Sequence, residues 1–543
     1  MKRLLIAILL AKSSLLAAQC PPSNVNLFGQ WDIDFFAAQY PNCETINGDL
    51  VIGDSTIGFI YPPTPPCYFT DLTPLKNLKT ITGNLKIIGC PQITNLYGLH
   101  NLQFVQGIDF KYMINFDSLN VFENITNKID LKLYYVGIKN LEALSNIPQF
   151  GKLHLTKLDS LQYLTKNSNS PLKVVDLEIG GTPLAHDSIF QNIEVSYRCK
   201  LAGNQFTEIT GLNNTSENLH QLILAEPNLQ YFNGFNNVKT IDFIYLGFGD
   251  YATIEGFNQV KEIDYFTIST CNFASVGGFG QLKKVNNNLL IKECQDLDGL
   301  SALSSIDTIG GNFTMENNLY YKDLDCFSSL EYVGGNFSLF YNSVNAVSNL
   351  DNLKEIEGCL SIKTEWINKL DFFAGIDSIG GLEIDNNYAL TSLNGLENTT
   401  LTKNKLLIKN NAMLTQCAIN MVCNALPLAE GNQIHQNWQG CNNETEVKID
   451  CLNIDTKHEN PIQNVLSVTI HPNPTTNYFE VATENTKDIL SLKVLDVNGQ
   501  TMLQQTKPLG YRFKTSNWPS GMYYLTITTT NGKKLYSTKL LKR

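Results

Sequence analysis

A short hydrophobic motif recurs along most of the chain, at intervals of 22 to 24 residues. In its fullest form, as at residues 309–315 and 333–339, it runs Ile or Val, any residue, Gly, any residue, and then two apolar residues separated by one other. Such alternation over a short run predicts a β-strand with one buried face. One strand in every interval predicts a parallel β-solenoid, in which each turn of the chain stacks on the next.

The repeat extends over fifteen consecutive turns, and both alternating strand positions are apolar in all of them when Cys199 is counted as apolar. An earlier copy at residues 46–52 is separated from the others by a Pro-rich insertion that ends at Cys67. We therefore expect sixteen turns whose apolar pairs face a continuous core. The first apolar strand position falls at residues 85, 108, 131, 153, 177, 199, 222, 244, 266, 289, 313, 337, 360, 382 and 406.

A second column of similar residues lies three positions after the strands. Its members are Cys90, Asn204, Cys271, Cys294, Asn318, Asn342, Asn387 and Asn411. A buried Asn there can satisfy backbone groups that would otherwise lose their hydrogen bonds, so we expect the column to lie inside the turns. We interpret Cys271 and Cys294 as buried thiols, because no His or further Cys completes a zinc site beside them. A disulfide or a metal pair is the alternative.

The front of the solenoid needs a cover, because its first turn would otherwise expose the core. Residues 31–40 place Ile33, Phe36 and Tyr40 on one face of a predicted helix. Cys20 and Cys43 lie on either side of this segment, and we expect them to form a disulfide.

The back of the solenoid needs a cover for the same reason. Residues 417–423 have the pattern of a short capping helix. Cys417, Cys423, Cys441 and Cys451 are further disulfide candidates. Four cysteines allow three connectivities, and the sequence does not choose among them.

The chain begins with Lys2 and Arg3, an apolar run from residue 4 to residue 11, and small residues up to Ala18. This is the layout of a secretory signal peptide, so we expect cleavage after Ala18. The apolar run is too short to span a bilayer, and we identify no other transmembrane segment. Export would permit disulfides, in agreement with the thirteen cysteines.

From about residue 465, short alternating runs separated by turn residues predict a small antiparallel β-sandwich. Its motif residues include Pro472, Asn473, Pro474, Asp496, Gly499, Gly521 and Tyr523, followed by a basic end. With these motifs the segment resembles the type A C-terminal sorting domain of the bacterial type IX secretion system. The resemblance implies export by the type IX secretion machinery, removal of the domain at the outer membrane and, often, attachment of the product to a surface glycolipid. An adhesion-type sandwich that stays on the protein is the alternative.

The body carries two further motifs, Cys-x-x-Ile-x-Gly-x-Leu-x-Ile at residues 43–52 and Asn-x-x-Leu-Thr-Ser-Leu-x-Gly-Leu at residues 387–396. With these motifs, the stretch from about Cys20 to Cys451 resembles the receptor L-domain and its bacterial leucine-rich-repeat relatives. The resemblance implies a solenoid fold. It implies little about function, because such domains bind very different partners.

The net charge of −11 is divided unevenly along the chain. Residues 465–543 contain ten Lys and Arg against four Asp and Glu, and the leader adds three positive charges, so residues 19–464 carry −20. An acidic body argues against a protein that binds nucleic acid, because the phosphates would be repelled.

Two fragments resemble parts of a hydrolase. Residues 53–55, Gly-Asp-Ser, resemble the nucleophile motif of the GDS-type hydrolases, and Asp455 and His458 could orient and supply a base. Ser55 and His458 lie at opposite ends of the predicted solenoid, so a GDS-type ester hydrolase is only a remote alternative. Since no other catalytic or metal motif is present, we expect no enzyme activity, no cofactor and no metal site.

Residues beside the buried strand positions point outward, and on most turns they are charged or small and polar. On three adjacent turns they are Ile223, Phe243, Tyr245 and Tyr265, with Phe340 further along. We predict that these five residues form the ligand face of a secreted or surface-attached recognition protein, whose partner is an unknown extracellular protein or glycan. The alternatives are a covering loop, a register shifted by one residue, and a solenoid that acts only as a passive adhesion or stalk spacer.

These patterns predict an all-β dominated chain, with a leucine-rich-repeat-like parallel β-solenoid and a small C-terminal antiparallel β-sandwich. Its core is formed by the inward strand positions. The predicted segments are a signal peptide (1–18), an N-terminal cap with the first turn and the Pro-rich insertion (19–70), the solenoid (71–415), a C-terminal disulfide cap (416–452), a linker (453–464) and the sorting domain (465–543).

Overall fold

Strands dominate the structure, at 42% of residues against 12% helix, and they form a parallel β-solenoid of about 16 turns followed by antiparallel sheets. The predicted fold class is therefore confirmed. The chain divides into two compact units, residues 1–308 (unit 1) and 309–543 (unit 2). A computed structural model describes residues 20–53, 67, 69, 71–164, 171–185, 190–294, 298–318, 325–342, 350–426, 432–454, 468–483, 489–496, 500–506, 512–529 and 534–543.

In unit 1 the main sheet is built from parallel strands, and each turn contributes either one strand or two short consecutive strands. These strands are Val25–Leu27, Thr45–Ile46, Leu50–Gly53, Thr80–Ile88, Phe104–Met113, Ile129–Val136, Phe150–Thr156, Leu172–Gly180, Ile193–Ala202, Asn218–Glu226, Thr240–Phe248, Glu262–Ser269, Lys284–Val285 and Leu289–Lys292. Short 3-10 helices lie at Thr73–Leu75, Tyr97–Leu99, Asn120–Phe122, Glu142–Leu144 and Asp298–Ser305. A second parallel sheet, which the sequence did not predict, contains Glu208–Ile209, Tyr231–Phe232, Asp250–Ile254 and Asn272–Val276.

The register of the main sheet follows the repeat. Leu222 is the Cα partner of Ile244, and Ile244 is the partner of Phe266. These first strand positions, and the second ones two residues later, are buried on every turn from residue 85 onward. Because a slip of one residue would reverse the faces, this pairing excludes the shifted register.

The front cover is the helix Gln30–Gln39, which buries Ile33 and Phe36. Asp32 caps the first turn of the helix, because its carboxylate accepts hydrogen bonds from the N–H groups of Phe28 and Gly29 at 2.8 and 3.0 Å. The strand Val25–Leu27 before the helix pairs with Leu50–Gly53, and it lacks the glycine motif that would have predicted it.

Four disulfides join cysteines at the two ends of the solenoid. The pairs are Cys20–Cys43, Cys67–Cys90, Cys417–Cys441 and Cys423–Cys451. Cys90 is buried in the column, as expected, and it is also bonded to Cys67, a pair that the sequence did not predict. The two cysteines are 23 residues apart, one repeat interval, but Cys67 lies in the Pro-rich insertion and not in a copy of the motif. Cys271 and Cys294 are buried thiols.

Unit 2 continues the same construction in its own parallel strands. These are Phe313–Glu316, Tyr332–Val333, Phe337–Phe340, Glu355–Lys363, Ser378–Asp385, Thr400–Lys409 and Gln433–His435, with Thr308–Ile309 at the unit boundary. Short 3-10 helices lie at Asp325–Phe327 and Asp371–Phe373. The turns pass so close together that a Cβ on Gly358 would lie 2.4 Å from the carbonyl group of Gly335, which explains the motif glycine.

The back cover differs from the predicted one in detail. Its helix is Asn420–Ala425 rather than residues 417–423, and a second helix, Glu444–Ile454, follows. Between them Gln433–His435 adds one more strand, with Ile434 paired to Ile408. This strand is too short and too polar to show the repeat pattern.

The C-terminal sandwich contains a three-stranded and a four-stranded antiparallel sheet. Its strands are Val468–His471, Tyr478–Thr483, Ile489–Leu495, Thr501–Thr506, Arg512–Lys514, Gly521–Thr529 and Lys534–Lys542. Alternate residues from both sheets, among them Phe479, Val494 and Leu525, form its core.

Candidate functional site

The outward face of unit 1 is the side of the main sheet that turns away from the core. On it, Gln221, Phe243 and Tyr265 are successive Cα partners, and Ile223 is the partner of Tyr245. Ile223, Phe243, Tyr245 and Tyr265 therefore lie together on three adjacent strands, and we name these four residues the apolar patch. The Tyr265 side chain is 44% exposed, and the other three are half-buried.

Phe340, the fifth predicted residue, belongs to unit 2. It ends the strand Phe337–Phe340, is half-buried, and has the Lys363 ammonium group 5.1 Å from its ring centre. Since this geometry suits a cation–π contact, Phe340 has a structural partner of its own. It is not part of the apolar patch.

A charged cluster occupies the strands on one side of the apolar patch. Arg198 contacts Asp176 at 2.8 Å and Glu178 at 3.2 Å. Lys200 contacts Glu178 at 2.9 Å, and His154 Nε2 lies 3.1 Å from Asp176. The cluster thus joins three adjacent strands through residues that recur at one-turn spacing.

The carboxyl groups of the cluster are held in their charged form. Burial alone would raise the pKa of Asp176, but hydrogen bonds from His154 and Arg198 lower it below its usual range. The pKa of Glu178 is lowered in the same way, against burial, by Lys200 and the neighbouring positive charges. His154 also lies at an outward strand position, where its ring contacts Asp176.

Gln221 connects the charged cluster to the apolar patch. Its side-chain oxygen accepts a hydrogen bond of 2.8 Å from Arg198 Nε, and its Cα partner on the next strand is Phe243. The outward face therefore changes from paired charges to apolar side chains within one turn.

A shallow cavity of about 380 Å³ lies beside Tyr245. A Cβ on Gly247 would come within 3.0 Å of the Tyr245 ring, so this glycine leaves the space in which the ring lies. Gly247 is two residues beyond Tyr245 on the same outward face, in a row of small residues that also contains Ala225, Ala202 and Gly180. The lining residues are Ala225, Pro227, Tyr245, Gly247, Phe248, Gly249 and Thr270.

The motif residues of the C-terminal sandwich hold its first turn against its last strand. Asn473 donates to the carbonyl of Lys539 at 2.7 Å and accepts from the N–H of Leu541 at 2.8 Å, between the exposed Pro472 and Pro474. These contacts tie the motif to the basic end of the chain.

Two other motif residues stabilise the opposite sheet. Asp496 accepts a hydrogen bond of 2.8 Å from the N–H of Gln500. Tyr523 is buried and donates its hydroxyl to the carbonyl of Pro519 at 2.7 Å. Gly521 begins the strand that contains Tyr523, and Gly499 lies outside the described residues.

The positions of Ser55, Asp455 and His458, the residues of the hydrolase-like fragments, lie outside the described residues. The predicted signal peptide does so as well. Within the described ranges, no group of three or more His, Cys, Asp or Glu side chains is placed to hold a metal ion. None of the helices in the described part of the chain has both the length and the apolar character needed to cross a membrane.

Two family models match parts of the chain. The receptor L domain model matches residues 42–174, and the secretion system C-terminal sorting domain model matches residues 469–543. No curated protein matches the sequence. The sorting domain is of the type IX kind, so the protein is secreted or attached at the cell surface. Neither the receptor L domain nor the solenoid is an enzyme family.

Proposed function

We propose that this is an exported recognition protein whose apolar patch binds an extracellular protein. The observation that carries the proposal is the position of the patch: Ile223, Phe243, Tyr245 and Tyr265 occupy outward positions that are charged on the preceding turns. Outward apolar residues add nothing to the core, and clustered exposed aromatic groups are typical of contact sites.

The chemistry of the patch favours a protein over a glycan. It combines an aliphatic side chain, Ile223, with the phenyl ring of Phe243 and two tyrosines on a flat strand surface. The neighbouring charged cluster would form a polar rim on one side, and protein interfaces typically have an apolar centre with such a rim. A glycan that stacks on Tyr245 and Tyr265 is the other possible ligand.

Two features of the chain support an extracellular partner. The sorting domain directs the protein out of the cell or to its surface, and the receptor L domain match indicates a binding module. The disulfides at both ends of the solenoid would keep the binding surface intact in an oxidising environment.

The proposal is tested by screening the purified full-length protein on protein and glycan arrays, with the double variant Tyr245→Ser, Tyr265→Ser beside it. We expect specific protein binding that the double variant weakens at least tenfold, with a change in unfolding free energy below about 1 kcal/mol, because the side chains point outward. Lys132→Ser, in the same outward row, is the matched control and should bind normally. Equal binding by the double variant and the wild type would favour a passive spacer instead.

A further inference from the structure

A ladder of buried polar side chains runs through the turns of unit 2. Asn342, Glu365, Asn387, Asn411 and Asn437 are all buried, one on each turn. Each backbone N–H in the series donates to the side-chain oxygen of the next member, at 2.9, 3.1, 2.9 and 3.0 Å. The backbone at these turns is therefore held by a continuous set of hydrogen bonds.

The amide groups of the ladder also bind the strand before them. Asn387 Nδ2 donates to the carbonyl of Ile362 at 3.0 Å, and Asn411 Nδ2 does the same to Ile384 at 3.0 Å. The four Asn turns are therefore anchored twice and the Glu365 turn by its backbone N–H, so the residue that follows each ladder position has a fixed place on the surface.

Large side chains follow the ladder on consecutive turns. Trp366 comes directly after Glu365, Tyr388 after Asn387 and Trp438 after Asn437, while Met413 lies two positions after Asn411. They are 53%, 43%, 59% and 53% exposed, respectively. The rings of Trp366 and Tyr388 are 5.4 Å apart between centroids. We name these four residues, the aromatic Trp366, Tyr388 and Trp438 together with Met413, the aromatic row.

The fold itself does not require the aromatic row. In unit 1, the residues that follow Thr182, Asn204 and Glu226 in the equivalent column are Pro183, Gln205 and Pro227, and all three are exposed. Since small or polar residues serve equally well at this position, the exposed rings in unit 2 are an addition to the solenoid rather than a part of it.

The polar groups beside the aromatic row are uncharged. Thr364, Asn386, Asn410 and Gln436 precede the ladder residues, and the Asn386 amide donates to the Tyr388 hydroxyl at 3.1 Å. The charged side chains at the nearby strand ends pair with carboxylates of the same sheet: Lys363 with Glu383 at 2.8 Å, and Lys409 with Asp385 at 3.6 Å.

We propose that the aromatic row binds a neutral polysaccharide. The C–H face of a pyranose ring can stack on an exposed Trp or Tyr ring. Its hydroxyl groups can donate to the side-chain oxygens of Asn386 and Asn410, whose amide nitrogens already donate to Tyr388 and Asp385. One large side chain on each turn, spaced by about 4.8 Å, suits a chain of sugar units better than a single sugar. A nucleic acid would require unpaired basic residues along the row. The inference does not depend on the apolar patch of unit 1.

The test is affinity electrophoresis of the purified full-length protein in gels containing a soluble polysaccharide. The neutral probes are hydroxyethylcellulose, laminarin, galactomannan and dextran, and alginate is the acidic comparison. We expect at least one neutral probe to retard the protein, and Trp366→Ala or Trp438→Ala to weaken that binding roughly tenfold. Trp366→Phe, which keeps a ring, should retain most of the affinity.

Two controls separate this site from other surfaces. Trp31→Ala removes a still more exposed Trp from the front helix and should bind normally, as should Tyr245→Ser. Unchanged melting temperatures would show that the row variants are folded. The proposal is overturned if no neutral probe retards the protein or if only alginate does. It is also overturned if both Trp variants bind the neutral probe like the wild type, including the case in which these variants lose binding to a protein instead.

Discussion

Neighbouring turns of unit 1 use the same outward strand position in opposite ways. In one row of Cα partners, Lys132, His154, Glu178 and Lys200 are followed by Ile223 and then Tyr245. The inward neighbours are apolar throughout, so the core is the same beneath both parts of the row. Most of the charged part is paired within the protein, Glu178 with Arg198 and Lys200 and His154 with Asp176, whereas the apolar part faces solvent.

We infer that the charged part of the row stabilises the fold and that the apolar part serves the proposed recognition. The ion pairs join one turn to the next and so stabilise the solenoid, whereas the apolar patch contributes little to the fold and is available for a partner. Each part of the row can be tested separately. Removing a charge from the charged cluster should destabilise the fold, and a probe in the apolar patch should identify the partner.

The largest expected effect on stability is that of Arg198→Ala. The Arg198 side chain is only 20% exposed, and its loss removes from the partly buried Asp176 and Glu178 the one positive charge that contacts both of them. We expect the free energy of unfolding to fall by about 2–3 kcal/mol in urea denaturation. Lys239→Ala, which removes the exposed pair with Glu217, is the matched control and should cost less than about 1 kcal/mol. Similar losses in the two variants would contradict the structural role of the cluster.

A smaller effect should appear when the pH is lowered. The pKa values of Asp176 and Glu178 are lowered in the folded protein, so their stabilisation is present above the ordinary carboxyl range and is lost as the pH falls through the lowered values. The stability difference between the wild type and Arg198→Ala should therefore shrink below about pH 4. Urea midpoints measured from pH 7 to pH 3 test this, and a constant difference over that range would show that the carboxylates are not coupled to Arg198.

The sequence predicted the core of this fold well, because each turn repeats the same pair of inward positions. Leu222, Ile244 and Phe266 could be aligned from their spacing alone, and that alignment also placed Tyr245 and Tyr265 outward. The strand Gln433–His435 was missed because Ile434 lies 26 residues after its partner Ile408, beyond the repeat interval. The disulfide of Cys67 with Cys90 was missed although the two are 23 residues apart, because Cys67 lies in the Pro-rich insertion rather than in a copy of the motif.

Contacts between outward residues were harder to predict, although their signal was present. Asp176 and Arg198 are 22 residues apart and meet because they occupy the same position on adjacent turns. The aromatic row could have been found by reading the residue after each column Asn, as with Tyr388 and Trp438. The cavity beside Tyr245 could not have been found from the sequence, because it depends on how the Tyr245 ring lies over Gly247.

The most direct test of the recognition surface is site-specific photo-crosslinking on the exported protein. A benzophenone amino acid is placed at residue 245 in the apolar patch, or at residue 132 in the charged part of the same row, and the adducts are identified by mass spectrometry. We predict a discrete protein adduct from position 245 only, which excess wild-type protein suppresses and the Tyr245→Ser, Tyr265→Ser variant does not. No adduct from position 245, or equal adducts from both positions, would contradict a recognition role for the apolar patch.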